Sequence, residues 1–151
     1  MKEDSLEIKE KKRVYKRNTA KSALENVKKK IKEANENNEF IYYVSKAVLF
    51  GSYINSDRKE IGDIDIALYI ELKDKYTPEI EQNIQRSLLS CKQVPFLLRY
   101  IYGKEEIAKF IKDKKSVIHL HDGNEADKIA REYSKSGNYI YNDKYELIYC
   151  K

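Results

Sequence analysis

Two aspartates, Asp63 and Asp65, stand two residues apart in the alternating run Asp63-Ile64-Asp65-Ile66. Aspartate is a poor strand former. Two like charges on one strand face repel unless a cation offsets them. Residues at this spacing lie ~6.5 Å apart with side chains on one face. Such carboxylates can converge on Mg2+ or Mn2+, hard cations that favour oxygen ligands. Paired divalent ions clamp the attacking and leaving oxygens in phosphoryl transfer. Upstream, Gly51-Ser52 ends an apolar run. Glycine lets backbone approach a phosphate closely, and Ser52 opens a short helical turn whose free N–H groups favour an anion. Ten residues separate Ser52 from Asp63. The connection returns the chain to a neighbouring strand, so a phosphate cradle and a metal pair are expected side by side. A nucleoside triphosphate carrying Mg2+ suits that arrangement.

Other residues border this pair. Arg58 and Lys59 lie in the loop between the two motif halves, where a base can meet a triphosphate or a nucleic-acid backbone. Arg99 stands in an apolar run and can offset the acidic pair or touch a phosphate. His119 and His121 alternate onto one face of a short strand, and histidine serves as a general base near neutral pH. Without a third ligand nearby in sequence, His-x-His is weak evidence for zinc. Glu105 and Glu106 read as acids at the start of a helix.

These residues need a frame. From Ser5 to about Asn37 the chain is rich in Lys, Glu, Ala and Leu, good helix formers. Asp4 and Glu7 have capping-box spacing, and Ala20, Leu24, Val27, Ile31 and Ala34 form one helical stripe. Phe40–Phe50 reads as a central strand and 63–72 as its neighbour, with Asp63, Asp65, Ala67 and Tyr69 on one face. Pro78 opens a helix with Ile80, Ile84 and Leu88 at steps of four. Val94–Tyr102 reads as a third strand broken by Gly103, followed by a short helix carrying Ile107, Phe110 and Ile111. Ser116–Asp122 reads as a fourth strand, then a helix capped by Asn124. The Tyr-rich tail reads as a hairpin around Asn142-Asp143. The expected fold class is therefore α/β in the α+β sense, a mixed sheet of about four strands covered on one side by helices, with a long N-terminal helix and a small C-terminal hairpin.

The chain has 151 residues, enough for one core. Two parts are expected, a basic helix over 1–38 and the main domain over 39–151. Residues 1–38 carry 12 bases and 7 acids, whereas 39–151 carry 18 of each, so the net charge of +5 rests on the N-terminal segment. That asymmetry is compatible with RNA or another acidic partner, and equally with a solvated helix. The 13 Tyr against 4 Phe and no Trp imply an aliphatic core with tyrosines half buried. No apolar run approaches the ~20 residues of a membrane helix. The N-terminus lacks the apolar middle of a secretory signal, and Cys91 and Cys150 fit a reducing cytoplasm better than a disulfide framework.

An apolar strand, Gly51-Ser52, ten residues and Asp63-Ile64-Asp65-Ile66 together resemble the signature of the nucleotidyltransferase superfamily, which has the DNA polymerase beta-like fold and includes the minimal nucleotidyltransferases. The resemblance implies that Gly51 and Ser52 hold a triphosphate and that Asp63 and Asp65 bind the metal ions. It also implies transfer of a nucleotidyl group to a hydroxyl of a protein, an RNA or a small molecule. Domains of this size commonly act in toxin–antitoxin pairs. The family expects a third carboxylate on the next long strand, and Val94–Tyr102 has none. Two readings follow. One is an Mg2+-dependent enzyme. The other is a nucleotidyltransferase-fold module that binds nucleotide, RNA or a partner such as a toxin without turnover.

Overall fold

A computed structural model describes residues 14–133 and 144–151. Four strands form one sheet in the order β5-β4-β2-β6. Here β1 is Tyr15–Lys16, β2 Tyr42–Phe50, β3 Glu60–Ile61, β4 Ile64–Leu72, β5 Ile118–Asp122 and β6 Glu146–Cys150. The helices are α1 Arg17–Glu36, α2 Ser52–Asn55, α3 Glu79–Leu89, α4 Tyr102–Lys112 and α5 Gly123–Tyr133. Strands β2 and β4 pair antiparallel, with Phe50 opposite Asp65. On the far side of β4, β5 runs parallel and sets His119 opposite Asp65. The small pair β1–β3 lies apart from this sheet.

The stripe of α1 lies against the sheet as its periodicity requires. Ala20, Leu24, Val27, Ile31 and Ala34 are buried with Val44, Leu49, Ile64, Ile66 and Leu68, and α4 adds Ile107 and Ile111. Each fully buried branched chain contributes about 1.5–3 kcal/mol. The β2–β4 register shifts between Val44 and Lys46, and the pairing of β2 with β6 ends at Lys46, so Val44 lies beyond it. Asn35 of α1 serves that backbone instead: its Nδ2 donates to the Val44 carbonyl at 2.9 Å and its Oδ1 accepts from the Val44 N–H at 2.8 Å. Helix α5 lies against the other sheet face. There Val48, Phe50, Ala67 and Tyr69 form a second buried cluster with Ala126 of α5, and the Tyr69 hydroxyl donates to Asp127 at 3.1 Å. Asp65 belongs to that face by alternation.

Several elements differ from their sequence reading. Val94–Tyr102 is not a strand: Phe96–Ile101 is a 3₁₀ turn running into α4. Pro95 lacks an N–H for a ladder, and its carbonyl accepts from the Leu98 N–H at 2.9 Å, which starts the turn. Gly103 does not break the chain but is buried inside α4, where a Cβ would come within 2.7 Å of Ile41 and Tyr42. Helix α3 is rotated from the expected stripe. It buries Gln82, Asn83 and Ser87, and leaves Ile80 57% and Leu88 58% exposed. The interior offered to α3 is polar. Asn83 Nδ2 donates to Tyr42 Oη at 2.7 Å, and Asn83 Oδ1 accepts the Gly103 N–H at 2.7 Å. Arg86 and Glu106 add a two-pronged ion pair at 2.9 and 3.0 Å between α3 and α4, which raises the pKa of Arg86.

Smaller shifts are also local. Helix α1 begins at Arg17, after β1. The expected helical start at Ser5 and the Asp4–Glu7 pair lie outside the described residues, as does the turn at 142–143. The cap of α5 is Asp122, whose Oδ1 accepts the Glu125 N–H at 3.0 Å, whereas Asn124 donates to the Ile70 carbonyl.

Candidate functional site

The end of β2 delivers Gly51, the one described glycine with a left-handed φ, at +82°. An added Cβ there would lie 2.7 Å from Asp65 Oδ2. Backbone can take this turn, and lie this close to the carboxylate, only without a side chain. The Gly51 carbonyl then accepts from the N–H groups of Ile54 and Asn55, which closes the single turn of α2. Ser52, its first residue, is exposed beside this turn.

The other carboxylate oxygen of Asp65 faces β5. His121 Nε2 lies 3.0 Å from Asp65 Oδ1, and His119 Nδ1 lies 3.5 Å from the same oxygen. The two rings are 4.5 Å apart between centroids. The edge of the Phe50–His121 pair, at 5.0 Å, braces the inner imidazole. The sheet dictates this convergence. Parallel pairing sets His119 opposite Asp65, and the period-2 alternation of β5 returns His121 to the same side. The Asp65 and His121 side chains are about a quarter exposed, at 23% and 24%, and His119 is 60% exposed. One ligand atom from each residue lies within 4.8 Å of the others. That donor set, one carboxylate oxygen and two imidazole nitrogens, fits a divalent cation with its remaining positions open to solvent.

The remaining sequence candidates have other surroundings. Strand β4 begins at Ile64, so Asp63 sits just before it, exposed and outside the three-residue cluster. Arg58 is exposed in the loop after α2. Arg99 lies in the 3₁₀ turn packed near α3 and α4, with its Nε donating to the Val94 carbonyl at 3.2 Å. The later strand that pairs with β4 beside Asp65 is β5, not 94–102, and it turns imidazoles toward the carboxylate where the family resemblance implies an acid. Glu106 is engaged by Arg86.

Sequence reasoning missed Arg17. At the start of α1 it reaches across to the loop between the motif halves. Its Nε donates to the Arg58 carbonyl at 2.7 Å and its Nη1 to the Tyr53 carbonyl at 3.0 Å, and its Nη2 donates to the Ser56 carbonyl. Its guanidinium also lies over the Tyr53 ring, 5.3 Å from the centroid. The signal was one base among 12 in a basic segment, with nothing in the spacing to single it out.

The family described as "Polymerase beta, Nucleotidyltransferase" matches residues 29–146, from within α1 to the first residue of β6, so Gly51, Ser52, Asp63, Asp65, His119 and His121 all fall inside the match. No curated protein and no solved structure matches the chain.

Proposed function

The chain belongs to the polymerase beta nucleotidyltransferase family, and we propose that it transfers a nucleotidyl group from a nucleoside triphosphate to an acceptor hydroxyl. One observation carries the reading. The Asp65 carboxylate is bounded on one side by the Gly51 turn and on the other by the imidazole pair, so phosphate and cation would meet at one residue. Asp65, with Asp63 just before the same strand, would hold Mg2+ or Mn2+. When bound, the cation supplies charge neutralisation on the triphosphate and orients it. Gly51 would allow the phosphates close to the backbone, the exposed Ser52 hydroxyl would donate to them, and Arg58 would add a positive charge from the loop.

In the reaction the acceptor oxygen attacks the α-phosphorus. A new P–O bond forms, the bond to the bridging α–β oxygen breaks, and pyrophosphate leaves with that electron pair. The acceptor hydroxyl's proton passes to solvent water. Acceptors compatible with this chemistry are a protein side chain, an RNA end or a small molecule, and a protein acceptor would suit a toxin–antitoxin pair in the cytoplasm. Among the described residues no helix is long and apolar enough to cross a membrane.

A second reading is favoured by one observation: the β5 side chains that meet Asp65 are the imidazoles of His119 and His121, while Asp122 of the same strand caps α5. In that case the domain binds nucleotide, RNA or a partner without turnover. The two are separated by incubating the full chain with each of the four α-labelled nucleoside triphosphates, Mg2+ or Mn2+, and total cell RNA and protein. Transfer of label that disappears with Asp65→Asn supports the enzyme. Metal-dependent nucleotide binding without transfer supports the module, and no nucleotide binding at all overturns both nucleotide readings.

A further inference from the structure

We infer that Asp65, His119 and His121 form a site for a first-row transition-metal dication, of the series Mn2+ to Zn2+, which takes precedence over Mg2+. The cation site shares Asp65 with the proposed transfer site and so gives that reading the identity of its metal.

Geometry is the first support. Ligand atoms ~2.0–2.2 Å from a common ion are ~3–3.5 Å from one another in tetrahedral or cis-octahedral coordination. The two imidazole nitrogens lie 3.0 and 3.5 Å from Asp65 Oδ1. A His–Asp dyad explains only the first of these contacts. The His119 contact, at 3.5 Å, is too long for a good hydrogen bond, which runs to ~3.2 Å. Both rings nevertheless converge on one oxygen.

Donor chemistry is the second. Mg2+ demands near-ideal oxygen octahedra and keeps its waters. Imidazole suits Zn2+, Fe2+, Co2+ and Ni2+, and affinity of a mixed N/O site rises from Mn2+ toward the end of the series. Two histidines and one carboxylate with an open outer side make a set that catalytic zinc sites also use. His119 at 60% exposure leaves that outer side accessible to water or a phosphate oxygen. Rigid support is the third. All three ligands stand on paired strands β4 and β5, not on loops, and Phe50 buttresses His121.

The test uses untagged full-length protein stripped with chelator. Zn2+, Co2+, Mn2+ and Mg2+ are titrated by calorimetry, with the visible absorption of Co2+ as a direct report on coordination. One Co2+ or Zn2+ per chain, retained against a large excess of Mg2+, is expected. His119→Gln and His121→Gln should each weaken it about tenfold or more, with the Co2+ spectrum altered. Thermal unfolding of the metal-free variants checks the fold, and the exposed His119 is the safer position. Unchanged Co2+ affinity in folded His119→Gln, or displacement of Co2+ by Mg2+ at comparable concentration, overturns the site. Nucleotide binding is measured separately in Mg2+. Intact nucleotide binding without a transition-metal preference sinks only this site. A preserved metal site with no nucleotide binding sinks only the transfer reading.

Discussion

A methyl group on Gly51 would lie 2.7 Å from Oδ2 of Asp65, inside the distance at which carbon and a carboxylate oxygen can coexist. The backbone turn and the acid are thus fitted to each other across β2 and β4, where Phe50 and Asp65 are register partners. Gly51→Ala meets two penalties, a φ of +82° that L residues rarely adopt and the collision itself. It should cost about 1–3 kcal/mol of stability and weaken metal-dependent nucleotide binding by more than the stability loss explains. Urea unfolding and calorimetry on the same preparation check this, and wild-type nucleotide affinity in Gly51→Ala would remove Gly51 from the site.

Arg17 fastens the loop between the motif halves through the carbonyls of Tyr53, Ser56 and Arg58. A lysine has one compact ammonium and cannot reproduce a planar fork reaching three acceptors. Arg17→Lys should therefore behave nearly as Arg17→Ala, with a loss of about 1–3 kcal/mol for charge-assisted hydrogen bonds. Hydrogen exchange should speed up over residues 53–59 first, because these carbonyls hold the loop and not the core. Protection there unchanged by Arg17→Ala would show that the loop is fixed by other contacts.

Much of this was open to a reader of the sequence, for a local reason. The alternation from Ile64 to Tyr69 already assigns Ile64, Ile66 and Leu68 to the core and Asp65 to the other face, as the two buried clusters do. The stripe Ala20 to Ala34 likewise names its own buried side. Sheet order is not local. Nothing between Leu72 and Ile118 says which later strand lies beside β4, so the order of elements points to 94–102 for the partner of Asp65, which stands instead at His119 and His121. The composition of 94–102 misled as well, since a short apolar run fits strand or helix alike.

Helix α3 misled for a different reason, and it gives a clean contrast. Hydrogen bonding chose its buried face. Asn83 serves Tyr42 Oη, the Glu79 carbonyl and the Gly103 N–H together. Asn83→Leu, more apolar and close in volume, should destabilise by about 1–3 kcal/mol or more, because the buried Gly103 N–H is left without its acceptor. Leu88→Gln on the exposed apolar face should change stability by no more than about 0.5 kcal/mol. Denaturant midpoints at equal slope decide it. The reverse order would mean that α3 packs by its aliphatic stripe after all.

Tyr42 makes a prediction about alkaline pH. Burial first, then its bond to Glu79, raise its pKa above the usual tyrosine value, opposed in part by the Asn83 amide. The folded protein thus holds the phenol proton more tightly than the unfolded chain, which releases it near pH ~10. The stabilisation is complete below that pH and is lost as pH rises through the folded pKa, because the unfolded chain then binds fewer protons. Wild-type stability should fall as pH climbs above ~10. Tyr42→Phe, less stable at neutral pH for lack of the hydroxyl bonds to Glu79 and Asn83, should lose less over that range. The measurement is urea unfolding of both proteins at steps across the alkaline range. Parallel declines would assign the alkaline loss to other groups, whereas convergence of the two curves places it on Tyr42.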